Sequence, residues 1–304
     1  MKSILVTLSM AGLMSCNSYS QPATIDPIDE KKFNDYWYAG EAELTSYELK
    51  QARYGEIHDG HAVLVFVTEP FSKSKQVKLD YPGNAGEDNV SVLKLNFTKK
   101  FLTGIYPYSM MQSTFTPVSI DKFPNTLKVT TSSQEWCGHT FMQLNLHKND
   151  YKLKGFSYFE SEGDNEKSIG KTWLEDEIWT RIRINPSTLP LGKVDIIPGT
   201  FYLRLGHKDS DVARAMATKT DVSSSEFHEG PHVSYQLKYE NRSITIYFEK
   251  SFPFNILGWE EQYASGFRSP KILSTKAFRK KSIKSPYWQK NSNRDRILRE
   301  ELGL

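Results

Sequence analysis

Apolar and polar residues alternate through long stretches of this chain, and a period of two leaves few architectures open. In Val92-Leu93-Lys94-Leu95-Asn96-Phe97 the apolar Leu93, Leu95 and Phe97 are separated by Lys94 and Asn96. That spacing puts one face on a core and the other in water only in a strand. The segments 232–239 and 243–250 alternate on both sides of Glu240-Asn241-Arg242, the pattern of a hairpin. His61-Ala62-Val63-Leu64-Val65-Phe66-Val67-Thr68 is more continuously apolar and is bracketed by Gly60 and Pro70, so it reads as a central strand. Further strands are expected at 36–49, 76–80, 90–101, 126–131, 138–146, 152–160 and 200–205.

One segment departs from this pattern. Thr172 and Glu175 stand at the spacing of a capping box, and Leu174, Ile178, Trp179 and Ile182 recur at helical spacing, which predicts an amphipathic helix over 173–183 packed on the sheet. Asn185-Pro186 and Pro190 end it. Ile297, Leu298, Leu302 and Leu304 are spaced to dock a short terminal helix. The expected fold is mainly β: a curved antiparallel sheet or open half-barrel with a few short helices. Glu56-Ile57-His58-Asp59-Gly60-His61 has a loose echo in Glu226-Phe227-His228-Glu229-Gly230-Pro231-His232, which raises two related β units. The organisation expected is a leader at 1–15, a tether at 16–33, a β domain at 34–190, and a second β unit at 191–304 with a basic, aromatic tail.

With 39 basic and 36 acidic residues the net charge is only +3, which argues against nucleic acid as a partner. The two cysteines are Cys16 and Cys137. Once Cys16 is modified no internal disulfide can form, and packing must stabilise the fold. Sixteen Tyr and 17 Phe suit half-buried sheet surface.

Candidate chemistry is sparse. Cys137 and His139 lie two apart, where a strand would point both the same way and an imidazole would help a thiol lose its proton. The plainer reading is a buried cysteine and a strand histidine beside Trp136. His58 and His61, with Glu56, and His228 and His232 carry metal-ligand chemistry, but both pairs sit in polar, Gly-containing stretches that read as turns. Carboxylates cluster at Glu160, Glu162 and Asp164, and at Glu175, Asp176 and Glu177, the residue types of a two-carboxylate glycosidase. Adjacent acids at a helix start already have a structural reason, because they complement the helix dipole. There is no phosphate-cradling glycine loop, nucleophile elbow or dinucleotide fingerprint, so the sequence calls for no cofactor.

The N-terminus is more specific. Lys2 precedes the apolar run Ile4-Leu5-Val6-Thr7-Leu8-Ser9-Met10-Ala11-Gly12, too short to cross a bilayer as a mature helix. Leu13-Met14-Ser15-Cys16 resembles the lipobox of bacterial lipoproteins. The resemblance implies a diacylglyceryl group on the Cys16 thiol, cleavage before Cys16 and acylation of the freed amine. Two or three chains make attachment stable, since each buried methylene contributes ~0.8 kcal/mol. Asn17 to Lys32 carries Pro22 and Pro27 and reads as a tether. No acidic cluster follows Cys16, so the periplasmic face of the outer membrane is the expected address.

Tyr36-Trp37-Tyr38-Ala39-Gly40-Glu41-Ala42-Glu43-Leu44, Gln51-Ala52-Arg53-Tyr54-Gly55-Glu56-Ile57-His58, Ser132-Ser133-Gln134-Glu135-Trp136-Cys137-Gly138-His139 and Ser285-Pro286-Tyr287-Trp288 resemble a group of Bacteroidota lipoproteins of similar length. Some of that group carry the name septum formation inhibitor Maf, but the Ser-x-Ser-x-x-Arg motif of Maf pyrophosphatases is not found here. The leading expectation is a non-enzymatic protein that binds a lipid, another hydrophobic ligand or an envelope glycan polymer on an aromatic concave face, or assists envelope assembly. The rivals are an envelope hydrolase using Cys137 and His139 or a histidine-bound metal, and a scaffold subunit of an outer-membrane complex. Metabolic labelling with a fatty-acid analogue is expected to mark the wild-type protein, and Cys16→Ser to abolish both the label and membrane partitioning.

Overall fold

The computed structural model describes residues 25–266 and 269–304; the leader and Cys16 lie outside them. Helix α1 (Glu30–Trp37) leads into β1 (Ala42–Arg53), β2 (Glu56–Ser72), β3 (Asn89–Thr103), β4 (Tyr106–Pro117), β5 (Lys128–Glu135), β6 (Gly138–His147), β7 (Asp150–Ser157), β8 (Asn165–Gly170) and β9 (Trp173–Leu174). A 3-10 turn (Glu175–Glu177) and α2 (Ile178–Ile184) follow, then β10 (Gly192–Ile197) and α3 (Thr200–Gly206). The chain finishes with β11 (Ala213–Val222), β12 (His232–Tyr239), β13 (Arg242–Phe248), β14 (Ile256–Ser265), β15 (Lys271–Ser285) and α4 (Ile297–Glu301).

All fifteen strands form one sheet in the order β8-β7-β6-β5-β4-β3-β2-β1-β15-β14-β13-β12-β11-β10-β9. Neighbours are antiparallel except β9 and β10. Both expected β units lie in this sheet, joined where β1 pairs with β15. The two edges, β8 and β9, are consecutive in sequence. At ~4.8 Å per strand a flat sheet would hold them roughly 67 Å apart, but Gly170 and Trp173 are linked by a chain that reaches about 11 Å. The sheet must therefore curl until its edges nearly meet. Side chains hold this seam: Val129, Leu144, Leu153 and Ile169 from β5 to β8 pack with Leu174 and Ile197 from β9 and β10.

The concave face is filled by α2 and α3. Phe97 of β3 meets Trp179 of α2, Phe201 of α3 and Trp259 of β14 with ring centroids 5.1, 5.2 and 5.2 Å away. Tyr47 of β1 packs on the same Trp259 at 4.9 Å, its ring tilted by 58°. The space an acyl chain would need on the aromatic concave face is thus occupied by the protein itself. Every residue of α2 is buried, including Arg181 and Arg183. Arg183 reaches Glu43 of β1 with two nitrogen to oxygen distances of 2.5 Å, and Arg181 meets Glu177 at 3.0 Å. Lys99 of β3 bonds Glu261 of β14 at 2.6 Å, and Arg242 of β13 joins Glu261 to Glu175 of the 3-10 turn. Burial pushes Glu261 up, but Lys99 and Arg242 outweigh it and hold the carboxyl at about 2.

Four expectations are corrected. Residues 36–37 belong to α1, which Asp29 caps by accepting from the Lys32 N–H, with Phe33 and Trp37 one turn apart on its buried side. Segment 76–80 makes only one isolated bridge, Phe71 to Lys78. The helix expected from residue 173 starts five residues later, because Trp173 and Leu174 pair with β10 and the Thr172 hydroxyl donates to the Asp195 carbonyl instead of capping. The carboxylate that caps is Glu177, which accepts from the Leu174 N–H. Segment 200–205 is α3 rather than a strand: Asp176 accepts from the Thr200 N–H and hydroxyl at its start, and Thr200 to Leu205 are buried all round. Gly199 permits that approach, since a Cβ there would stand 2.3 Å from Glu175 Oε1. At the C-terminus Leu302 is buried, and its carbonyl accepts from Ser46 on the outer face of β1. Among the described residues no helix is long and apolar enough to cross a membrane.

Burial pushes the Asp176 carboxyl up to about 7, the Glu175 charge adds to this, and hydrogen bonds from Thr200 and Gln112 oppose it. The folded chain therefore keeps a proton that the unfolded chain loses near pH ~4. Stability from this group is complete below that pH and declines as pH rises toward 7. Asp176→Asn is expected to remove this slope, so that thermal melts show the variant gaining on wild type between pH 5 and pH 8. A constant difference across that range would refute the assignment.

Candidate functional site

The inward-facing positions of β5 to β8 become small toward one end: Thr131, Thr140, Gly155 and Ser157 occupy rows that elsewhere hold Tyr47, Phe97 and Trp259. Thr131 still reaches the start of α3, its hydroxyl 2.6 Å from that of Thr200, but past that bond a cavity of about 420 Å³ remains between β5 to β8 on one side and α3 with residues 207–210 on the other. Pockets that hold small molecules run from ~300 to 1,000 Å³.

Glu162, Arg204 and His207 converge on this cavity. Glu162 comes from the loop after β7; Arg204 lies in the last turn of α3 and His207 is the residue that ends the helix, its Nδ1 3.2 Å from the Arg204 guanidinium. His207 adopts φ +50° as the helix ends and turns its ring back toward the loop. Its Nδ1 stands 2.5 Å from Glu162 Oε1, the Arg204 guanidinium lies 3.3 Å from the same oxygen, and Ser157 donates to Glu162 Oε2 at 2.7 Å. Burial pushes Glu162 up, but Ser157, His207 and Arg204 together hold the carboxyl below its ordinary value. The Phe159 ring braces the cluster, with Arg204 4.7 Å and the His207 ring 5.7 Å from its centroid. The result is a fixed carboxylate with donors around it, suited to hydrogen-bonding a polar ligand.

The residues singled out from sequence do not assemble there, apart from Glu162. Glu160 and Asp164 are exposed on the same loop. Glu175, Asp176 and Glu177 are buried, each bonded within the protein: Glu175 to Arg242 and Tyr239, Asp176 to Thr200, Glu177 to Arg181 and Thr126.

Cys137 is exposed in the turn between β5 and β6, not buried on a strand, so its Sγ and the exposed His139 are not held on one strand face. Trp136 beside it is 68% exposed. Hydrogen bonding to Glu135 and that carboxylate's charge push the thiol up, the reverse of what a nucleophile needs.

His58 and His61 both lie on β2 rather than in a turn, and an odd spacing on a strand sends them to opposite faces. His58 Nε2 is 3.1 Å from the Arg53 carbonyl. His232 opens β12, with its ring nitrogens 2.7 Å from the Gly230 carbonyl and 3.0 Å from Ser225 Oγ. The His228 ring packs edge-on against it at 5.7 Å. Strands β1, β15, β14 and β13 stand between the two pairs. Among the described residues no three His, Cys, Asp or Glu side chains come together to hold a metal.

Arg204 and His207 were invisible to a strand reading of 200–205. The usable signal was the pair of glycines, Gly199 and Gly206, that bound a helix-length segment.

No protein-family model and no curated protein matches the chain. Among solved structures it is similar to a β-barrel-like protein of a domain of unknown function, DUF1849, from Brucella abortus. The TM-score is 0.45 at 10% identity, over 80% of this chain and 97% of that one.

Alkylation of Cys137 by iodoacetamide near neutral pH is expected to be slow and to accelerate in Glu135→Gln, the ratio of rates shrinking toward one at high pH as both thiols ionise. Equal rates at neutral pH would show that Glu135 does not act on the thiol.

Proposed function

We propose that this chain is a non-enzymatic binding protein of the cell envelope, tied by acyl chains on Cys16 to the periplasmic face of the outer membrane. Its ligand occupies the seam cavity rather than the aromatic concave face. The observation that carries the reading is the cavity itself: about 420 Å³ bounded by Thr131, Thr140, Gly155 and Ser157, in a protein whose interior is elsewhere packed with aromatic rings and two helices. A protein interior is close-packed by default, so a void of that size beside a braced polar cluster fits ligand occupancy better than packing. The raised thiol of Cys137 and its exposed turn weigh against the thiol-hydrolase alternative. An N-terminal lipid is compatible with this arrangement, because Asp26 accepts from the Ser251 hydroxyl at the α1 end of the curled sheet, the end opposite the turn that carries Trp136.

Native mass spectrometry on protein purified from membranes tests the reading. The expected result is a non-protein adduct on the wild type that is lost in Thr140→Phe, whose ring fills the cavity, with the circular dichroism spectrum unchanged. An empty wild type, or an adduct retained in the variant, would count against it.

A further inference from the structure

Building on the seam cavity as the ligand site, we infer that it takes an uncharged, polyhydroxylated ligand, a short saccharide, in preference to an anion or an acyl chain. Arg204 lines the cavity, is only 8% exposed, and its Nε has no hydrogen-bond partner. A buried guanidinium donor left without an acceptor is costly, and a group arriving from outside accounts for it.

The charge balance disfavours an anion as the natural occupant. Three acids, Glu162, Glu166 and Asp209, line the cavity against three bases, Lys167, Arg204 and Lys208. The bases are largely committed: Arg204 to Glu162 at 3.3 Å and Lys167 to Asp211 at 2.9 Å. Only Lys208 is left without a carboxylate partner, and with three acids matching three bases the lining offers no net positive charge to a phosphate or carboxylate.

The walls disfavour an acyl chain. Thr140 and Ser161 would lose water against hydrocarbon without gaining a partner. A sugar hydroxyl both donates and accepts. It can take the Arg204 Nε–H while giving its own hydrogen to Glu162, which the ion pair keeps charged.

Saturation-transfer NMR on the full mature chain, with glucose, N-acetylglucosamine, glucuronate, glucose 6-phosphate and octanoate as probes, tests the assignment. Signal is expected from the two neutral sugars alone. Arg204→Lys keeps the charge facing Glu162 but removes Nε, and should weaken sugar binding about tenfold with an unchanged melting temperature. Unchanged affinity in that variant would overturn the role of Nε. If Thr140→Phe abolishes binding but the bound probe is glucuronate, the phosphate or octanoate, the cavity stands as the site and the saccharide assignment falls. Neutral sugars that bind Thr140→Phe as tightly as wild type would remove the cavity as the site, and the absence of any sugar signal from wild type would overturn the saccharide assignment outright.

Discussion

Four charges buried inside the curl of the sheet set the terms for everything around them. Lys99, Glu261, Arg242 and Glu175 link β3, β14 and β13 to the 3-10 turn ahead of α2, and Tyr239 of β12 donates to Glu175 at 2.5 Å. Two acids and two bases cancel, so the cluster tolerates complete burial, but only as a set. Removing one partner from a buried pair costs ~3–5 kcal/mol, because a charge is left without compensation. The network therefore fixes which strands face one another and where the 3-10 turn and α2 sit. Arg183 adds a second tie from α2 to Glu43 of β1, and without these ties the concave face would be an aromatic surface open to water.

The seam follows from the same economy of space. A sheet whose edges do not pair by backbone hydrogen bonds needs side chains to hold it, and β5 to β10 supply aliphatic ones at one end. At the other end the inward rows shrink to Thr, Gly and Ser, and past the bond from Thr131 to Thr200 the wall leaves a space beside α3. Gly155 marks the limit: a Cβ there would press on the Asn165 side chain at 3.1 Å. Substituting larger residues would seal the cavity and improve packing density. The chain instead keeps small polar residues where the polar cluster is, which couples the weakest part of the wall to its most chemically equipped part.

The period-two signal carried most of the β fold because burial on one face is a local property that each strand displays by itself. β2, β3, β6, β12 and β13 fall where alternation and turn residues put them. What the sequence could not display was burial arising from distant partners. Arg181 and Arg183 look like the solvent side of an amphipathic helix, yet Arg183 is buried because Glu43, 140 positions away, meets it. α3 was hidden for the opposite reason: residues 200–205 are buried on every side, and a short run without a polar face has no period to read. Glu162 was legible only as one of several acids; its role depends on a serine from β7 and two residues from that hidden helix. Cys137 and the histidine pairs drew attention by residue type, which says nothing about whether a turn exposes them or a strand sends them to opposite faces.

α3 is where the core and the cavity meet. Its first residue is held by Asp176, a buried acid of the 3-10 turn, and its C-terminal end brings Arg204 and His207 to Glu162 at the seam. A seven-residue helix is too short to stand alone in water, since nucleation is unfavourable and only a few backbone bonds follow. It persists because both ends are pinned and its apolar residues are enclosed. The position of the Arg204 guanidinium is thus inherited from the buried network through Glu175, Asp176 and Thr200, so the interior of the curled sheet sets the geometry of the cavity together with the Glu162 loop.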